Sequence, residues 1–488
     1  MKSTSSNKTH GLFNLIITIT FLFLATYVGI HHEMWGDEAH AWLLARDCSI
    51  VELLTTYLHA EGHPILWFLV IKAFQSLGYT YYDFFMLSII ISTVGVALFT
   101  YKSKFPWYIK TLFAFSYFTF YQYTIIVRSY CLILMLYSLL ASIWGKRHKR
   151  IFLITFLLIC LMNTTAYTYL FSASISSILL VEWFQKKKKW NENTNRNHII
   201  SFWILAFSFI ATIIYVFPLS TNINTLILHS FSLSFAFFDN YSPYFGVRGG
   251  LSAKIYYLFS SLSIIAVIFG AYKQSCLKNK FWEMMLIVIP PSLFCMLKYY
   301  NLWHLGIILF SFIFCFWIHK MEKNKYILFL LIITLGIQNY WNISASVYDI
   351  GNTFCPAESA SNFIKKYDYK NLDIYGTTIF NDAINAYFEN NIFSNWNENR
   401  SFFYWDKRSK YCQDSYIFFD AKELIKKNKD MYIFTSHSFN QAQIDIIKEK
   451  YNFYIFSGHS YAENDIYESL DITILVRKDI DKIARNQK

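Results

Sequence analysis

Charge is scarce in this sequence. Asp, Glu, Lys and Arg make up 16% of its 488 residues, against roughly 25% in an ordinary soluble protein. The deficit falls before residue 342. Cysteine, with eight copies, shows no metal-ligand spacing. Several cysteines lie in apolar runs, where a free thiol behaves as a small apolar group. Cys355 and Cys412 are the pair that oxidation could join. No glycine-rich phosphate loop is found; FSGHS at 456–460 is too loose to be one, and His437 and His459 read as ordinary surface or loop residues. There is no internal repeat, and no inverted-repeat pattern of a transporter. No small-residue cleavage site separates the first apolar run from the charged HHEMWGDE, so that run is expected to stay as a first span.

What is present is apolar and aromatic: 55% hydrophobic and 20% Phe, Trp or Tyr. Blocks near the roughly 20 residues that cross a bilayer recur at 11–30, 83–101, 107–126, 198–217, 255–272, 281–297 and 304–318. Each is expected to be helical, because backbone groups in lipid need partners within their own segment. The net charge is +12, but its distribution speaks against nucleic acid. Lys and Arg sit in short clusters between the blocks: Lys102 and Lys104; Lys146, Arg147, Lys149 and Arg150; Lys186 to Lys189; Lys273, Lys278 and Lys280; Lys320, Lys323 and Lys325. That is the positive-inside pattern. The segments 31–63, 218–250 and 298–303 carry one basic residue apiece (Arg46, Arg248 and Lys298) and fall outside. A polytopic α-helical membrane protein of about 11 spans follows. HPILWFLVIKAFQSLG (63–78) is apolar but short, and is expected to be a juxtamembrane or re-entrant helix.

The character changes near residue 342. From 342 to 488 short apolar strands alternate with helical patterns: LDIYGT (372–377) before NDAINAYFENN, SYIFFD (415–420) before AKELIKKN, MYIFTS (431–436) before NQAQIDIIKEKY, then FYIFSG (453–458) and ITILVR (472–477). The alternation predicts an extracytoplasmic α/β domain with a largely parallel sheet. The domains are therefore 1–341, membrane-embedded, and 342–488. The aromatic loop 218–250 is long for a connection; it reads either as an interfacial segment or as a lid. FFYWDKR (402–408) suits stacking on a sugar ring or a core.

HHEMWGDEAHAWLLARD (31–47) places Asp37 and Glu38 just past the first span. Trp42, Leu43 and Leu44 follow at a spacing suited to a helix lying on the membrane surface. LHAEGHPILW (58–67) then adds His59, Glu61 and His63, with Pro64 opening a helix. These are either solvated loop charges or a site at the membrane–water boundary. A carboxylate there is partly desolvated and more basic, and could deprotonate an acceptor hydroxyl.

The order of first span, outer WGDEA, amphipathic stretch and EGHP resembles the membrane glycosyltransferases of the C superfamily (GT-C fold). Its nearest likeness is to family 39-like enzymes, the protein O-mannosyltransferases and the lipid A aminoarabinose transferases. IIVRSYCLILMLYSLL (125–140) resembles their span that begins with Arg at the outer face. NLWHLGIILFSFIFCFWI (301–318) resembles a later span opening on a basic residue or His. PAESASNFIKKY (356–367) and YWDKR (404–408) resemble the outer domain of one bacterial subgroup.

The resemblance implies an inverting hexosyl- or pentosyltransferase. Its donor is a polyprenyl-phosphate sugar, and its acceptor is a hydroxyl on a glycan, lipid or protein. Asp37 is the implied base, with Glu38 beside it in the catalytic pair. Arg128 is the candidate for the leaving phosphate, since Arg matches phosphate with two parallel hydrogen bonds. His40, Arg248, Lys298 and His304 are further phosphate candidates. Glu61, with His63, matches an acid that binds a divalent metal in the aminoarabinose transferases, the one candidate cofactor. The sequence departs from the pattern at Gly62 and His63, where relatives have a basic residue and a proline. It departs again at His40, where some have Arg.

Two rival classes stand beside this one. A transporter or flippase for a lipid-linked sugar would favour ionisable residues in mid-span and broken helices. A non-catalytic membrane partner would leave Asp37 and Glu38 dispensable. Richness in Lys, Asn, Ile, Tyr and Phe suits an AT-rich, bacterial genome. The expected place is then the cytoplasmic membrane, among its lipids, with the site and the 342–488 domain outside.

Overall fold

The computed structural model describes residues 2–61, 63–216, 251–274, 280–297, 302–377, 381–396, 400–403, 421–435, 439–458 and 471–486. Arg248 and Lys298, the loop 218–250, the segment 415–420, YWDKR, Cys412, His437 and His459 lie outside those residues. The chain is mainly helical. Four helical stretches among the described residues are long and apolar enough to cross a membrane: Gly11–His31, Tyr81–Lys102, Glu192–Val216 and Lys325–Gly351. Shorter apolar helices accompany them, including Tyr130–Ile143, Ile151–Met162, Phe281–Leu297 and Leu302–Ile318. The helix Leu66–Ser76 has 11 residues, too few to cross a bilayer at 1.5 Å per residue.

Apolar side chains cover these helices on nearly every side. Trp203 and Phe207 are 74% and 75% exposed on Glu192–Val216, the arrangement of a helix whose outer face meets lipid rather than water.

The block 107–126 does not form one helix. Trp107–Ala114 ends at Phe115, and a wider π-helical coil runs Phe118–Ile125. There the Thr124 hydroxyl donates to the Thr119 carbonyl at 2.7 Å and the Ile126 amide to that of Tyr121 at 3.1 Å. Ile126 is extended, and a new helix begins at Tyr130. Wide coils of this kind recur at functional sites.

By contacts the chain forms two compact units. One comprises Met1–Gly29, Leu54–Trp67 and Phe85–Ser346; the other comprises Ile30–Leu53, Phe68–Phe84 and Val347–Lys488. In the first, the core is aromatic: Tyr117, Tyr121, Tyr123, Tyr130, Tyr167 and Trp341 are all fully buried. Gly306 makes this packing possible. A Cβ there would lie 2.7 Å from the Tyr123 hydroxyl and 2.9 Å from the Phe118 ring.

The second unit holds a four-stranded sheet: β1 (Ile374–Gly376), β2 (Met431–Thr435), β3 (Tyr451–Phe456) and β4 (Ile472–Arg477), in the order β1-β2-β4-β3. The sheet is not largely parallel. Among the described residues only β1 and β2 run together, from Ile374 opposite Met431; β4 lies antiparallel to both β2 and β3. The reason is topological. The last strand inserts between its two predecessors, an order that a local alternation of strands and helices does not encode. β2 and β4 are buried almost throughout, as the central position of their continuous apolar runs requires. Leu424, Tyr432, Phe434, Ile447, Tyr451 and Leu475 pack as the core.

Candidate functional sites

In the second unit the helix Gly36–Asp47 starts from an extended Trp35. Its two first-turn acids differ in their surroundings. Glu38 is fully buried. Its Oε2 accepts the Trp35 amide at 2.9 Å and lies 3.3 Å from His32 Nε2. The carboxylate thus closes the helix N-terminus, satisfying an amide that the helix leaves over. Asp37, its neighbour, is half-buried. Both acids sit where the helix dipole favours negative charge.

His32 is held between two carboxylates, since its Nδ1 lies 2.8 Å from Asp349 Oδ2. Burial alone pulls an imidazole pKa down. The charges of Asp349 and Glu38 and the hydrogen bonds to them outweigh it and hold His32 at about 10. Glu33 shows the opposite case. Burial, then the charge of Glu358, pushes its pKa up to about 7, and its Oε2 is buried with no hydrogen-bond partner among the described residues. A carboxyl group poised near neutrality is suited to proton transfer. Sequence reasoning passed over His32 and Glu33, although both lie in the quoted HHEMWGDE. Their importance rests on Asp349 and Glu358, more than 300 positions away.

The expectation of a surface-lying helix at Trp42–Leu44 is corrected. Trp42, Leu43 and Leu44 are 4%, 0% and 0% exposed. Trp42 packs on the rings of Tyr81 and Phe84 at 5.8 and 5.0 Å. The apolar face is covered by protein. The polar positions are also occupied: His40 Nδ1 pairs with Asp382 Oδ2 at 2.5 Å, and Arg46 donates to the Phe388 carbonyl at 2.7 Å. Asp47 accepts the Ser401 amide at 3.0 Å, and Glu52 pairs with Arg400 at 2.7 Å. His40 therefore joins the helix to the segment around Asp382.

In the first unit three other candidates come together. Arg128 sits in the break before the helix Tyr130–Ile143, half-buried. Its Nη2 is 3.4 Å from His63 Nε2, 65 positions earlier. The guanidinium lies over the Tyr130 ring at 5.4 Å. The Tyr130 ring in turn meets His304 edge-on at 6.3 Å, and Tyr167 lies 5.5 Å from His304. Tyr130 is the residue that sequence reasoning missed, two positions beyond Arg128 in the quoted IIVRSYCL. An Arg fork with one imidazole beside it, and a second imidazole on the ring that it covers, at the positive end of a 14-residue helix, suit an anion.

Glu61 closes the short helix Leu58–Glu61 and is half-buried. Among the described residues no three His, Cys, Asp or Glu side chains converge on one point.

Compared with protein-family models and with curated proteins, the sequence matches none.

Proposed function

We propose that this protein is a membrane glycosyltransferase that moves a sugar from a polyprenyl-phosphate donor to a hydroxyl acceptor. The observation that carries the reading is a chain of contacts: His63 beside Arg128, Arg128 over the Tyr130 ring, and His304 on that same ring. Three residues singled out from separate stretches of sequence converge, and they make a cationic, aromatic-lined environment suited to a lipid phosphate.

In the proposed reaction the acceptor hydroxyl attacks the anomeric carbon. Its proton passes to a carboxylate base, the role that the resemblance gives to Asp37. The bond from the anomeric carbon to the phosphate oxygen breaks, and the electron pair stays on that oxygen. Arg128 offsets the charge that develops there, an electrostatic contribution that rises as the bond breaks. One displacement of this kind inverts the anomeric centre. Glu38 keeps the helix N-terminus in place.

The test is a transfer assay in membranes containing a polyprenyl-phosphate sugar pool, read by mass spectrometry of candidate acceptors. Asp37→Asn is expected to abolish a glycan product while expression and folding stay normal. Arg128→Lys keeps the charge but loses the planar fork, and is expected to lower transfer on the order of tenfold or more. A product unchanged in Asp37→Asn removes the base and turns the reading toward transport or a partner role.

A further inference from the structure

The basic segment 148–150 runs into the helix Ile151–Met162. In the first unit it forms one wall of a cavity of about 640 Å³, lined by His148, Lys149, Arg150, Ile151, Phe152, Leu153, Trp190, Thr194 and Asn197. The walls are fixed by contacts. The turn is closed by the Lys149 and Arg150 amides, each donating to the Lys146 carbonyl at 3.0 Å. The Trp190 ring stands 4.6 Å from both His148 and His198, and His148 Nδ1 is 3.2 Å from His198 Nε2.

The charges divide unequally. The buried acid of this region, Glu182, is taken up by Arg147, with contacts of 2.8 and 2.5 Å, and lies 3.2 Å from His148 Nε2. Lys149 and Arg150 are exposed and make no ion pair among the described residues. They leave the cavity with two uncompensated positive charges, and Thr194 and Asn197 add polar groups.

The cavity also stands where two apolar helices begin. Ile151–Met162 presents Phe152 and Phe156 outward, 47% and 59% exposed. Glu192–Val216, a helix long enough to cross a membrane, rises from the other wall. An occupant thus meets cationic and polar groups at one end and outward apolar side chains at the other. A free anion would use only the first; an anionic lipid uses both.

We propose that this cavity binds the phosphate headgroup of an anionic membrane phospholipid, with its acyl chains against Phe152 and Leu153. Basic pockets between membrane helices serve such headgroups. The assignment stands apart from the transfer reaction and does not depend on it.

The test uses the full chain in lipid nanodiscs and detergent. Retained lipid is counted by native mass spectrometry, and the unfolding midpoint is followed on adding phosphatidylglycerol, phosphatidylcholine or inorganic phosphate. Phosphatidylglycerol is expected to be retained and to raise the midpoint, with phosphatidylcholine far less effective. Lys149→Gln with Arg150→Gln is expected to weaken phosphatidylglycerol binding on the order of 10- to 30-fold. Lys102→Gln with Lys104→Gln, the same change in net charge elsewhere, is expected to leave it unchanged. Should the double variant fail to fold, Lys149→Gln alone is expected to show a partial loss. Equal loss in both pairs overturns the site in favour of diffuse charge attraction. Equal stabilisation by inorganic phosphate and phosphatidylglycerol overturns the lipid assignment, as does equal retention of the two lipids.

Discussion

His40 Nδ1 and Asp382 Oδ2 lie 2.5 Å apart, across 342 positions of sequence, with both side chains almost wholly shielded from solvent. Asp382 also accepts the Phe403 amide at 2.9 Å. The helix that bears Asp37 is therefore tied to the C-terminal segment through its own polar face.

Removing one member of a buried pair leaves the other charge desolvated and uncompensated. His40→Ala is expected to destabilise the protein by about 3–5 kcal/mol. A double-mutant cycle with Asp382→Asn, followed by chemical unfolding, should give a combined loss well below the sum of the two single losses. Strict additivity would break the link between the residues.

His32 predicts a specific pH dependence. Its pKa is raised from 6.5 to about 10 by Asp349 and Glu38, against burial. The folded state thus binds a proton more tightly than the unfolded chain. The stabilisation is complete below about pH 6.5 and is lost as pH rises toward about 10. His32→Gln should remove that part of the pH dependence, measured as the unfolding midpoint between those limits. An unaltered slope would show that His32 does not hold its proton there.

Asp37 and Glu38 are expected to separate in their effects. Glu38 caps its helix and contacts His32, so Glu38→Ala should lower the melting temperature. The loss of the cap alone is worth about 0.5–2 kcal/mol. Asp37→Asn should lower the melting temperature less than Glu38→Ala does and lower transfer on the order of 10²- to 10⁴-fold. Thermal unfolding and product formation measured on the same preparations decide this, and a reversed pattern would reassign the two roles.

Gly306→Ala tests the aromatic core. The added methyl meets the Tyr123 hydroxyl at 2.7 Å and the Phe118 ring at 2.9 Å, and these two buried side chains have little room to yield. A loss of about 1–3 kcal/mol is expected, read as the unfolding midpoint in detergent. Gly336→Ala, where a Cβ meets nothing within 4 Å, serves as the control and should not lower stability.

The helices were legible in the sequence because each depends on a continuous apolar run and on hydrogen bonds within its own segment. Gly11–His31, Glu192–Val216 and the strands Met431–Thr435 and Ile472–Arg477 follow the hydropathy closely. So did the chemistry-bearing residues as types: a pair of acids after the first apolar run, an Arg at the start of another. Their surroundings were not legible. That Trp42 packs on Tyr81, that His40 pairs with Asp382 and that His63 lies beside Arg128 depends on segments distant in sequence. The sheet direction has the same origin, because β4 pairs with both of its neighbours only after the whole segment has folded back. Local hydropathy and hydrogen bonding determine which elements form. The path of the chain, which brings Asp349 to His32 and Tyr130 between Arg128 and His304, decides what each charged side chain can do.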